Sequence, residues 1–198
     1  MGRAIVPYIF MFMDKILYIN SCVRKESRTN LLAKYLLSKL DGEIIEIMLD
    51  NNIKPLDRLS LERRTKLLAN REYNSSEFYF ANQFKNSDII VISSPYWDLS
   101  FSSLLKVYFE NINCNGITFG YNEEGEPYSL CKAKKLYYVT TSGGYILNDD
   151  LGFGYIKALA NTFYGINDIK YIKAEGLDID SANVENIINN TKKEIDKL

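Results

Sequence analysis

Side chains able to do chemistry gather in three short stretches. Ser21 and Ser27-Arg28-Thr29 combine hydroxyls with a guanidinium. Ser94-Pro95-Tyr96-Trp97-Asp98-Leu99 is an aromatic loop stiffened by a proline. Thr141-Ser142-Gly143-Gly144-Tyr145 sets hydroxyls beside two adjacent glycines. Each suits a different part of a ligand. Hydroxyls and Arg28 at the start of a helix suit a phosphate, because first-turn N–H groups are unpaired and the dipole is positive there. The same residues also serve as a plain helix cap with Arg28 in solvent. Pro95 has no N–H and fixes the turn, which leaves the N–H groups beyond it for the carbonyls and ring nitrogens of a flat heterocycle. Tyr96 and Trp97 offer apolar surface with polar tips, or they are ordinary core or interface aromatics. Gly143 and Gly144 let backbone approach a ligand closely, or simply turn the chain.

Composition narrows the chemistry. The chain has 198 residues and no histidine. Ser-His-Asp and Cys-His catalysis and histidine-ligated metal sites are therefore excluded. Cys22, Cys114 and Cys131 are far apart and form no metal-binding or redox spacing. They read as reduced thiols of a cytoplasmic protein. A formal net charge of -1 with no basic tract argues against a nucleic-acid partner. The apolar stretch from Ala4 to Met13 is too short to span a bilayer, and no small-residue cleavage site follows it. The domain is expected to begin at Met13, with residues 1–13 an extension or the product of an upstream start.

The elements that must position the three stretches follow from periodicity. Lys15 to Asn20, Glu43 to Met48, Asp88 to Ser93, Lys135 to Thr141 and Asp168 to Ala174 read as strands. Leu31, Leu32, Tyr35, Leu36 and Leu40 recur at helical spacing over Ser27 to Leu40, capped by Ser27 or Thr29 and ended by Asp41-Gly42. Asn51 to Leu59 is a loop, and polar helices fill Leu61 to Phe84. A helix follows the aromatic loop, with Leu104, Leu105, Tyr108, Phe109 and Ile112 on one face. Gly116 to Pro127 reads as a hairpin-like excursion. Gly154 to Tyr164 looks helical, and Ser181 is placed to cap a last helix carrying Val184, Ile187, Ile188 and Ile195.

Strands that alternate with helices imply an α/β fold, a three-layer sandwich with a five-stranded parallel sheet and helices on both faces, in one domain spanning 1–198. In the strand order 2-1-3-4-5 the loops after strands one, three and four surround one crevice, where mononucleotides bind. All three stretches are such loops, and a flavin is a flat ligand of the kind they would suit. Gly152-Phe153-Gly154 does not complete a dinucleotide-binding motif and is read as a helix start.

With the loops in place, the chain resembles the FMN-dependent NADH-azoreductase family within the flavodoxin-like NAD(P)H:quinone oxidoreductases. The likeness runs from about Lys15 to the C-terminus. It is carried by Ser-Pro-Tyr-Trp-Asp at 94–98, Gly-Ile-Thr-Phe-Gly-Tyr at 116–121, Thr-Thr-Ser-Gly-Gly at 140–144 and Lys-Ala-Glu-Gly at 173–176. The resemblance implies an FMN cofactor, with Ser21, Ser27, Arg28 and Thr29 at the phosphate. Tyr96, Trp97, Asp98 and Leu99, behind Pro95, would meet the isoalloxazine ring, and Thr141, Ser142, Gly143 and Gly144 its pyrimidine side. It also implies a homodimer in which both subunits shape each pocket. Where the family commonly has Met-Tyr-Asn-Phe, this chain has Tyr96-Trp97-Asp98-Leu99; ionised Asp98 can only accept hydrogen bonds. The family's arginines are replaced by Ser142 and Gly120, so the pocket is less cationic.

The expected activity is hydride transfer from NADH or NADPH through bound FMN to a quinone, azo compound or similar flat electrophile, by a ping-pong mechanism. The cofactor carries that chemistry, so no catalytic side chain or metal is required. Tyr96, Trp97 and Tyr121 are candidate walls for a planar substrate, and Tyr145 can close over it. Two other classes share the fold: a flavodoxin-type electron carrier without direct NAD(P)H turnover, and a flavin-free interaction or sensor protein.

Overall fold

A computed structural model describes residues 13–50 and 53–198. The expectations for residues 1–12 and for Asn51 and Asn52 fall outside them. Five parallel strands form the main sheet: β1 (Lys15–Asn20), β2 (Glu43–Met48), β3 (Ile89–Ser93), β6 (Lys135–Thr141) and β7 (Asp168–Ala174). Their order is β2-β1-β3-β6-β7. The numbering departs from 2-1-3-4-5 because the excursion contributes two strands of its own. These are β4 (Phe119–Tyr121) and β5 (Pro127–Ser129), paired antiparallel in a separate sheet.

Alternation along each strand divides the core in two. Ile16, Tyr18, Val91, Tyr137, Val139 and Ile172 face one side of the sheet. There they pack on Leu32, Ala33 and Leu36 of α1 (Arg28–Leu37) and on Ile188 and Ile195 of α6 (Val184–Ile195). Leu17, Ile19, Ile90, Ile92, Leu136 and Tyr138 face the other. They meet α3 (Tyr79–Lys85) through Ala81 and Phe84, and α4 (Ser103–Ile112) through Leu105, Tyr108, Phe109 and Ile112. α2 (Arg58–Ala69) and α5 (Tyr155–Leu159) contribute Leu67, Leu68, Ile156 and Leu159 to the same side. Leu104, expected with the buried face of α4, is only partly buried at its edge.

Helix boundaries differ from the expectations for local reasons. α1 ends at Leu37, before Leu40, with Ser38 as its C-cap. Ser27, not Thr29, caps its start by accepting a hydrogen bond from the Asn30 N–H at 3.2 Å. α6 is capped by Asn183, which accepts from Asn186 N–H at 2.9 Å; Ser181 stands two residues upstream with φ 68 in a turn. The expected helix from Gly154 begins instead at Asp150, with widened π-turns over Asp150–Gly154 and Ala160–Tyr164. Gly152-Phe153-Gly154 does lie in its first turn.

Candidate functional site

The carboxyl ends of β1, β3, β6 and β7 lie along one edge of the sheet, where parallel α/β sheets place their ligands. A cavity of about 330 Å³ opens there. Nine of its lining residues belong to the expected site: Ser27, Arg28, Thr29, Pro95, Tyr96, Trp97, Thr141, Ser142 and Gly143. The three stretches thus converge on one space.

The floor is a polar network rooted in the strands. Tyr18 Oη donates to Asn30 Oδ1 at 2.8 Å and lies 2.8 Å from Ser93 Oγ. Asn20 Oδ1 accepts from Cys22 N–H at 3.0 Å, which sets the exit angle of the first loop. Ser21 is fully buried, and its hydroxyl donates to the Ser93 carbonyl at 2.9 Å. Burial raises the Tyr18 hydroxyl well above its ordinary range and also raises the Cys22 thiol.

At one end of the cavity stands the first turn of α1. The Arg28 and Thr29 N–H groups have no partner among the described residues, as geometry requires of a helix start. Thr29 Oγ1 lies 2.6 Å from Thr141 Oγ1 and ties the first loop to the third. Arg28 Nη1 meets Asp178 Oδ1 at 2.8 Å and the Leu177 carbonyl at 3.3 Å. Two guanidiniums, Arg24 and Arg28, and two carboxylates, Glu26 and Asp178, line this end.

The second loop is more tightly built than its sequence suggests. Tyr96 N–H donates to the Thr141 carbonyl at 3.0 Å, and Trp97 N–H to the Ser100 carbonyl at 2.8 Å. The expectation that the N–H groups just beyond Pro95 stay free therefore fails for these two, because neighbouring carbonyls satisfy them. Ser100 N–H returns a bond to the Trp97 carbonyl at 2.8 Å, closing a two-residue hairpin turn. Its central residues, Asp98 (φ 48) and Leu99 (φ 67), both lie in the left-handed region, as a type I′ turn demands. That region is costly for leucine, and such strain concentrates at functional loops. Asp98 and Leu99 N–H, the two amides at the turn's tip, have no partner among the described residues. Ser94 anchors the base: its Oγ accepts from Ser102 N–H at 3.0 Å, and its carbonyl accepts from Thr140 Oγ1 at 2.7 Å.

The third loop is zippered to the segment after β7. Ser142 N–H donates to Ala174, Leu177 N–H to Ser142, Gly176 N–H to Gly144 and Asp178 N–H to Gly143, at 2.9–3.1 Å. Gly143 and Gly144 N–H have no partner among the described residues. The Ser142 hydroxyl donates to the Gly144 carbonyl at 2.6 Å and so holds the turn. A Cβ on Gly143 would fall 2.5 Å from Asp178 Oδ2, so glycine is required while that carboxylate keeps its place.

Not every expected residue borders the cavity. Ser21 lies beneath it, and Asp98 and Leu99 stand exposed at its rim. Gly144 and Tyr145 belong to the outer part of the third loop, with Tyr145 largely exposed. Tyr121 sits on β4 with its ring edge-on to Phe119 at 5.6 Å, and is not a lining residue. Conversely, Cys22, Val23, Arg24, Glu26, Leu177 and Asp178 line the space without having been anticipated. Arg24 lies over the Trp97 ring at 5.6 Å. A fourth loop at the same sheet edge, following the fifth strand, was the signal available for Leu177 and Asp178.

Comparison with known proteins agrees with this geometry. The model of a family described by its flavodoxin-like fold matches residues 14–198. The chain is 33% identical over 185 residues to an FMN-dependent NADH:quinone oxidoreductase of Clostridium perfringens, covering 87% of this chain and 91% of that protein. It is 34% identical over 194 residues to FMN-dependent NADH:quinone oxidoreductase 2 of Clostridium acetobutylicum, covering 90% and 94%. Among solved structures, an FMN-dependent NADH-azoreductase from Bacillus anthracis in complex with FMN superposes with a TM-score of 0.77 at 25% identity, over 93% of this chain and 97% of that one. The chain belongs to this flavodoxin-like family, and the FMN-dependent NADH:quinone oxidoreductases are its relatives.

Proposed function

We propose that the protein is an FMN-dependent NAD(P)H oxidoreductase that reduces quinones, azo compounds or similar flat electrophiles. One observation carries the reading: a free helix N-terminus and the free Gly143 amide border one cavity, and the free amides of Asp98, Leu99 and Gly144 lie in the second and third loops at or beyond its rim. A phosphate monoester needs the donors that Ser27, Arg28 and Thr29 provide. An isoalloxazine ring needs amides for its carbonyls and nitrogens, and Asp98, Leu99, Gly143 and Gly144 have them unpaired among the described residues. The residues fit the cofactor.

Bound FMN would supply the two-electron redox chemistry between NADH or NADPH and the acceptor, the two substrates using the same site in turn. The chain's own residues bind, orient and shield. Pro95 and the strained turn fix where the tip amides point. Trp97 and Tyr96 flank the ring site; Tyr96 Oη donates to the Asn148 carbonyl at 3.2 Å and pins the wall to the 145–151 segment. A carboxylate at Asp98, on the rim, would disfavour negative charge on a ring held beside it.

Ser21, placed by resemblance at the phosphate, acts through its bond to Ser93 in positioning the loop. Tyr121 and Tyr145 reach a substrate in the homodimer that we also propose. Exposed Leu99, Tyr145, Leu147 and Leu151 near the site supply apolar surface for it. Three free cysteines agree with a reducing cytoplasm, and no described helix is long and apolar enough to cross a membrane. The test is anaerobic titration of the FMN-loaded protein with NADH, followed by a quinone. An oxidoreductase is reduced by NADH directly and reoxidised by the quinone; a flavodoxin-type carrier is not reduced by NADH.

A further inference from the structure

The segment after β7 meets the phosphate end of the cavity, and its Asp178 has no role in the reading above. Three observations bear on it. Asp178 N–H is fixed by the Gly143 carbonyl at 2.9 Å, so the residue's backbone is part of the third-loop zipper. Its carboxylate lines the cavity and occupies the space that any side chain at 143 would need. Its Oδ1 holds Arg28 Nη1 at 2.8 Å, while Arg28 Nε and Nη2 have no partner among the described residues. Arg28 can thus turn one edge of its fork to a phosphate while the other stays on Asp178. The carboxylate is neutralised through Arg28, so a single phosphate on the near side is accepted. A second phosphate continuing past the first on this side would stand beside the carboxylate, whose one guanidinium partner, Arg28, would already be engaged.

We propose that Asp178 is a specificity-determining residue that ends the flavin site at one phosphate and refuses a pyrophosphate. The site then selects FMN over FAD by like-charge repulsion at the second phosphate. This rests on the flavin reading of the cavity. The pair is exposed, with side-chain accessibilities of 44% and 66%, so exchanging the carboxylate leaves the core and the backbone zipper intact.

Dissociation constants for riboflavin, FMN and FAD, read by flavin fluorescence on the parent, Asp178→Asn and Asp178→Glu, test the proposal. The parent binds FMN in preference to FAD. In Asp178→Asn the FAD-to-FMN affinity ratio rises about tenfold, the size expected of one like-charge contact at a partly exposed site. In Asp178→Glu, which keeps the charge, the parent's preference persists. An unchanged ratio in Asp178→Asn with FMN still bound overturns the proposal and leaves the flavin site standing. An equal rise in Asp178→Glu overturns it too, because shape and not charge would then be limiting. A parent that binds none of the three flavins overturns the reading of the cavity and the proposal with it.

Discussion

Trp97 illustrates how one residue can be well placed and still divide its roles. Its backbone closes the hairpin turn that presents the Asp98 and Leu99 amides. Its side chain lines the cavity and carries the Arg24 guanidinium over its ring. Truncation to alanine removes only the second role. Trp97→Ala therefore raises the KM for a quinone about tenfold, in line with the loss of one aromatic contact, and changes FMN affinity by less than about threefold. Parallel losses in both would contradict the assignment of the ring as a substrate wall. Residue types made most of this site legible, since hydroxyls, guanidinium, proline, aromatics and paired glycines are where a phosphorylated ring needs them. What they could not show is occupancy. Tyr96 and Trp97 N–H are spent on Thr141 and Ser100 carbonyls that only folding brings near. Asp178 looked like any surface acid until Arg28, 150 residues away in sequence, was found beside it.

At the scale of elements, four of the five main-sheet strands, β1, β2, β6 and β7, begin and end as read from the sequence, and β3 begins one residue later than expected, at Ile89. β1 and β6, buried from their second residue onward, have little freedom of extent; the edge strand β2 is mostly exposed, and its extent follows its pairing with β1. Helix ends were less legible, because a cap is decided by which side chain reaches which amide. Asn183 outcompetes Ser181 in that way. The helix from Asp150 to Tyr164 shows a further constraint. It ends on Gly165, whose φ of 65 is left-handed, and Ser129 Oγ donates to the Tyr164 carbonyl at 2.7 Å. A Cβ on Gly165 would stand 2.8 Å from the Ser129 Cβ. Both the backbone and the neighbour resist, so Gly165→Ala costs about 1–3 kcal/mol of folding stability. Urea unfolding reads that as a lower midpoint at constant slope. A midpoint equal to the parent's would mean that the β5–helix junction relaxes freely.

The whole molecule has an unusual titration profile. With no histidine, no side chain of ordinary pKa changes charge between pH 6 and 8. On the alkaline side, burial pushes Cys131 up to about 12. Burial also raises Cys22, Cys114, Tyr18 and Tyr138. The folded state holds these protons more tightly than the unfolded chain. Their contribution is fully present below the unfolded pKa, which for the thiols is 9.0, and is lost as pH rises toward the folded values. Urea midpoints should be level from about pH 6 to 8 and fall steadily above about pH 9. A midpoint as high at pH 10.5 as at about pH 8 would show that these groups titrate alike in both states.

The flavodoxin-like architecture, the loop convergence and the family all point to one activity, and a single measurement reaches it most directly. The FMN-loaded protein is titrated with NADH without oxygen while its visible flavin absorbance is followed, and a quinone is then added. The flavin band is expected to bleach to completion with about one NADH per bound FMN and to return on addition of quinone. A flavin band that NADH leaves untouched, while a chemical reductant bleaches it, would contradict the account and identify the protein as an electron carrier.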